Sequence, residues 1–165
     1  MGRTTELRRA LKSDVFPLLA ERGFAIDERN MPGLVDFRRT RGDRVDFMEF
    51  QWEKYGRPRF RLSFGTVSSR GTIAQGIHTP ARDMGPGQAP LYVCLYPRGT
   101  GSSTRDWFCQ DAPFWIRVFG WPARAPSEVI AELLALLPEI DEYLLAGKMG
   151  PHCFATPNAP FVNVE

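Results

Sequence analysis

Apolar residues Leu7, Leu11, Val15, Leu18 and Leu19 recur every three or four positions, and this spacing predicts an amphipathic helix over residues 5–22. Thr4 or Thr5 can cap its start, and Gly23 suits the left-handed position that ends a helix. Pro17 lies inside the pattern, lacks an amide donor and crowds the preceding turn, so a kink or break is expected near Phe16. A wider apolar stripe follows Pro126 and Ser127: Val129, Ile130, Leu133, Leu134, Leu137, Ile140, Leu144 and Leu145 predict a second helix closed by Gly147. Pro138 predicts a kink or a restart within it.

Between the helices the period changes from 3.6 to 2. Residues 59–67 alternate most cleanly: Phe60, Leu62 and Phe64 point one way, while Arg59, Arg61 and Ser63 point the other. Residues 34–39 form a shorter strand that ends in a basic turn. Residues 44–53 carry apolar side chains on both parities, Val45 and Phe47 against Met48, Phe50 and Trp52. That strand either bulges or is covered on both faces. The linker Lys54-Tyr55-Gly56-Arg57-Pro58 fits a hairpin loop with Gly56 at positive φ. Residues 91–96, LYVCLY, read as a strand buried on both faces, and residues 114–121, FWIRVFGW, as a sixth extended stretch. Residues 68–90 and the tail 147–165 have neither period and are expected to be irregular.

The order helix, about five strands with short links, helix predicts a two-layer α+β fold. Its sheet is mostly antiparallel, and an N-terminal and a C-terminal helix share one face. The 165 residues suit one domain, 1–165, with no repeat or shift in composition to divide them. Lys+Arg 21 against Asp+Glu 19 is too close to balance for charge to imply nucleic acid or an anionic membrane. The N-terminal stretch lacks the apolar core of a signal peptide, no apolar run reaches membrane-spanning length, and the three cysteines are widely spaced, so a cytoplasmic protein is expected.

The first half of the chain resembles a known family. The LLAERGF helix end, the VDFRR strand and the F-Q-W-x-K-Y-G-R-P-R-F hairpin closing in SFG are similar to the uncharacterised bacterial domain-of-unknown-function family 4304. The matching positions are Gly23, Phe24, Gln51, Phe60 and Gly65. The resemblance implies the α+β fold and brings no catalytic residues. Immunity proteins that stand beside toxins offer a functional analogy at the level of fold alone.

The residues that carry chemistry point away from catalysis. Cys94, Cys109, His152 and Cys153 lack zinc-ligand spacing, so no metal and no cofactor is expected. Cys109 lies near Asp106 and Asp111, whose charges raise a thiol pKa and oppose nucleophile activation. Glu49 beside aromatic rings could act as an acid, although Arg59 or Arg61 across the hairpin is the simpler partner. The glycine-rich pieces at 84–88 and 99–103 lack the lysine and helix of a phosphate loop.

Arginines crowd the hairpin strands, but the parity of residues 59–64 sets rings and guanidinium groups on opposite faces, unlike a base-stacking platform. The rings are therefore assigned to the core and the arginines to the open side. Arg39, Arg44, Arg57, Arg59, Arg61 and His78 are the candidate binding residues. The expected function is a non-catalytic module that binds another protein, an acidic one included, or self-associates, with nucleic acid disfavoured. An enzyme site between residues 68–90 and the sheet, using His78, Asp83 or Glu49, is the alternative.

Overall fold

The computed structural model describes residues 2–27, 33–97, 107–111, 123–157 and 160–164. The N-terminal helical segment begins as α1 (Arg3–Ala10), widens into a π turn over Leu11–Val15 and resumes as α2 (Phe16–Glu21). Pro17 supplies the reason. It has no N–H for an α-type bond, and the amide of Phe16 reaches back five residues to the Leu11 carbonyl. The expected break near Phe16 thus takes the form of a widened turn. The start also differs from expectation. Gly2 is the N-cap, and the Thr4 hydroxyl, inside the helix, donates to the Gly56 carbonyl of the hairpin loop at 2.5 Å.

The C-terminal helix, α3 (Pro126–Ala146), runs unbroken through Pro138. The expected restart is absent: Pro138 lies on the exposed side, and the eight buried residues of the other side hold the helix together across the missing bond. Glu128 accepts the Ala125 amide at 2.7 Å at the start, and Gly147 closes the helix at φ 70°.

The main sheet is antiparallel throughout its described pairings and larger than five strands. Its order is β1 (Ala25–Ile26), β2 (Leu34–Arg41), β3 (Arg44–Trp52), β4 (Arg59–Ser68), β7 (Leu91–Leu95) and β9 (Cys153–Pro157), and β8 (Phe108–Cys109) also pairs with β4. The added strands have two to five residues, too short for alternation to announce them. β9 also corrects the expectation of an irregular tail. The stretch 114–121 lies outside the described residues.

Both helices lie on one face. Leu7, Leu11, Val15 and Leu19 from the first segment, and Val129, Leu133 and Leu137 from α3, pack on Phe37, Phe50, Phe60, Leu62, Phe64, Val93 and Leu95. Phe60, Leu62 and Phe64 are fully buried, as their parity predicts. Burying each such side chain contributes roughly 1.5–3 kcal/mol.

A charged clamp ties this layer together. Asp46 on β3 is completely buried on the helix-covered face and accepts from Arg39 at 2.8 Å and Arg41 at 2.7 Å. Arg39 then donates to the Arg22 carbonyl at 3.0 Å, and Arg41 donates to the Leu144 carbonyl, so each satisfies the end of one helix. Removing one partner of such a buried pair typically costs about 3–5 kcal/mol.

The back face is divided. β3 pairs without a bulge along its length, so the alternative holds: both of its faces are covered. Val45, Phe47 and Val67 meet Ala81, Met84 and Ala89 from the segment expected to be irregular. Arg38 pins that cover by donating to the carbonyls of Ala81 and Met84, both at 2.8 Å. Gly65 makes the crossing possible, since a Cβ there would sit 3.0 Å from both the Ala89 Cβ and the Leu91 carbonyl oxygen.

Candidate interaction surface

Residues 68–90 hold structure that their composition hides. β5 (Thr72–Ala74), β6 (Ile77–Thr79) and β10 (Val162–Asn163) form a second, three-stranded antiparallel sheet in the order β10-β5-β6. Gln75 and Gly76, both at positive φ, close the β5–β6 hairpin in two residues. Gly71 at φ 97° is needed where the chain enters, because a Cβ would lie 2.0 Å from the Thr79 carbonyl oxygen. Thr72 is buried and turns its hydroxyl toward the Met84 sulfur at 3.7 Å, which anchors the small sheet to the cover.

Alternation then sends Ile73 outward. Its cross-strand partners are Val162 on one side and His78 on the other, so the three form a row across all three strands. Ile73 is 42% exposed and Val162 64%, whereas Ile77, 69% exposed, pairs with Ala74 and projects from the opposite face at the hairpin end. Aliphatic side chains grouped on so small a sheet, with their backs to a packed layer, form a surface suited to an apolar contact.

Beside β10 lies a polar cleft of about 400 Å³, lined by Asp43, Arg44, Thr66, Ser68, Arg70 and Asn163 among others. The Ser68 amide donates to Asn163 Oδ1 at 3.0 Å and the Val164 amide to the Gly71 carbonyl at 3.0 Å, which holds the C-terminal strand against the cleft. His78 Nε2 donates to the Arg70 carbonyl at 2.7 Å and stays exposed. The aliphatic row is therefore edged by a histidine, and the adjoining cleft brings two arginines and one aspartate.

The other half of the back face is polar and internally organised. Tyr92 donates to Ser63 Oγ at 2.7 Å and lies 3.4 Å from Glu49, and Ser63 meets the Cys94 sulfur at 3.6 Å. Burial and the nearby Asp36 charge push the Glu49 carboxyl above its usual range; Tyr92, in the same setting, is pushed up to about 12, chiefly by burial. Cys94 is accordingly a member of a polar layer rather than the core hydrophobe its apolar neighbours suggest.

The predicted binding residues separate. Arg59 and Arg61 do lie on the back face, but both stack over Trp107, at 4.7 and 5.0 Å from the ring centroid. Arg59 also pairs with Glu53 at 3.6 Å, and Arg61 Nε donates to Gln51 at 3.1 Å while its charge also acts on Glu49, as expected of a partner across the hairpin. Trp107 shares its face with these arginines, contrary to the separation read from residues 59–64. Arg39 belongs to the buried clamp on the opposite face, a correction that follows from its pairing opposite Asp46. Arg57 is exposed in the hairpin loop, with its backbone amide 3.4 Å from Glu53 Oε2. Only Arg44 and His78 border the small sheet and its cleft.

Ile73 and Val162 were not legible as site residues. The one signal was Gln75-Gly76 between two short runs of β-branched residues, a two-residue hairpin turn in miniature.

The thiols and histidines carry no activated pair. Burial pushes Cys109 up, with the Asp111 charge acting in the same direction, and burial with Glu139 pushes Cys153 up to about 11. His152 binds Glu139 through both its ring Nδ1 and its backbone amide, and Asp83 pairs with Arg82 at the surface. Among the described residues no group of three or more His, Cys, Asp or Glu side chains is placed to hold a metal, and no helix is long and apolar enough to cross a membrane.

Comparison of the chain with protein-family models, with curated proteins and with solved structures returned no match.

Proposed function

We propose that this protein is a non-catalytic module that binds another protein through the outer face of its small sheet. The observation that carries the reading is the row of Val162, Ile73 and His78: two outward aliphatic side chains and a histidine on a sheet anchored from behind by Thr72 and the 81–89 cover. An apolar centre with a polar rim is the usual anatomy of a protein-binding patch. The cleft with Arg44 and Arg70 suits a partner whose contact residues combine an apolar side chain with an acidic neighbour. The raised Cys109 and Cys153 thiols, the pairing of Arg39 with the buried Asp46 and the stacking of Arg59 and Arg61 on Trp107 favour this surface over a catalytic or base-stacking one. The likeness to family 4304 and the immunity analogy are compatible with a docking role and add no residue to it.

The test uses the full-length protein as bait in an extract of its source organism. Three forms are compared: the parent, Ile73→Asp/Val162→Asp and Arg59→Glu/Arg61→Glu. The expected result is a protein retained by the parent and the arginine variant and lost from the aliphatic variant, with reduced amide exchange in residues 72–79 when the purified partner is added back. Equal retention by all three forms, or loss only with the arginine variant, would overturn the reading. Light scattering over a concentration series decides whether the retained partner is a second copy of the chain.

A further inference from the structure

A different cavity opens where the N-terminal helical segment crosses the edge of the main sheet. It has a volume of about 230 Å³, and its apolar wall comes from Leu11, Phe16, Val35 and Trp52. Its charged lining is Arg8 and Lys12, and no carboxylate lines it among the described residues. The two cations stand four residues apart, on neighbouring turns of one helix side, and both are exposed. Arg8 lies over the Trp52 ring at 4.8 Å, so one cation already rests on the apolar wall.

The π turn builds this arrangement. Leu11 and Lys12 belong to the widened turn that Pro17 imposes, and Phe16 follows directly after it. Regular α-helical spacing would rotate Arg8 and Lys12 relative to Phe16 and change which side chains share the cavity wall. Such π turns inside helices concentrate at functional sites.

We infer that this cavity binds a small monocarboxylate with an apolar body, a ring or a short branched chain seated against Phe16, Val35 and Trp52 and its carboxylate between Arg8 and Lys12. The size agrees, because an apolar cavity of about 150 Å³ accepts a benzene ring, and the remainder here has room for a one- or two-atom arm and the acid group. The charge agrees as well: the described lining offers two cations and no carboxylate, a positive mouth over an apolar floor. This site is separate from the small sheet, and it stands or falls independently of the docking surface.

The experiment titrates the full-length protein with phenylacetate and hexanoate, and with phenylacetamide and hexanamide as neutral counterparts. Heat is measured by calorimetry, and the location by amide and indole NMR shifts. The expected result is saturable binding of the acids, about tenfold tighter than of the amides, with shifts centred on residues 8–16, 33–35 and Trp52. Arg8→Gln/Lys12→Gln, which changes only exposed side chains, should keep the parent's melting temperature and abolish the preference for acid over amide. No saturable binding in the millimolar range, equal binding of acids and amides, an unchanged preference in the double variant, or shifts centred elsewhere would each overturn the inference.

Discussion

Individual residues here are governed by which face they occupy. Arg39 and Arg61 have the same side chain, yet one closes a buried clamp on Asp46 and the other lies over Trp107 on the opposite side of the sheet. Glu49 shows how the same logic reaches pH dependence. Its folded-state carboxyl is raised, by burial first and by Asp36 second, so folding favours its protonated form. The contribution from this group is greatest below the ordinary carboxylate range and is lost as pH rises through the raised value. Glu49→Gln should therefore stabilise the protein at neutral pH and have little effect at acidic pH. Its stability relative to the parent should grow as pH rises across that interval, measured by urea unfolding at several pH values. The amide oxygen can still accept from Tyr92, so a flat difference across pH would mean that Glu49 ionises without penalty.

At the scale of elements, two prolines in similar helical patterns have opposite consequences. Pro17 follows a segment packed against β2 and β3, and the chain absorbs its missing donor by widening a turn. Pro138 sits on the exposed side of a helix whose other side is held by eight buried residues. Tertiary packing there keeps the helix whole at the cost of one hydrogen bond. Pro138→Ala should restore that bond and raise stability by on the order of 1–3 kcal/mol, as a higher denaturation midpoint with unchanged slope. The same comparison explains what periodicity could not show. Both prolines break the pattern identically in one dimension, and the outcome depends on what each helix face touches.

For the whole molecule, the decisive feature is the way residues 81–89 cover half of the back face. That packing rests on the backbone approach at Gly65, where an added Cβ would press on the Ala89 Cβ and the Leu91 carbonyl oxygen at 3.0 Å. Gly65→Val should push the cover away, expose Val45, Phe47 and Val67, and leave the helix-covered core intact. The expected reading is faster amide exchange in residues 72–89, new binding of a hydrophobic dye and a loss of roughly 2–5 kcal/mol, while helix content by circular dichroism is retained. A uniform loss of all structure would instead mean that the two faces unfold as one unit. Because Thr72 anchors the small sheet to this same cover, the variant should also weaken partner retention through Ile73 and Val162.

By itself the sequence determined the α+β class, both helices, the hairpin at Gly56 and the burial of Phe60, Leu62 and Phe64. Each of these is written in a local period of 3.6 or 2, or in a turn residue, and local patterns survive in one dimension. Tertiary structure decided the rest: the small sheet, β9, the Asp46 clamp and the engagement of Arg59 and Arg61. Those features join residues far apart in the chain through strands of two to five residues and single side-chain pairs. No period of that length can develop in so few positions, and a side chain's partner exists only after the chain has folded back upon itself.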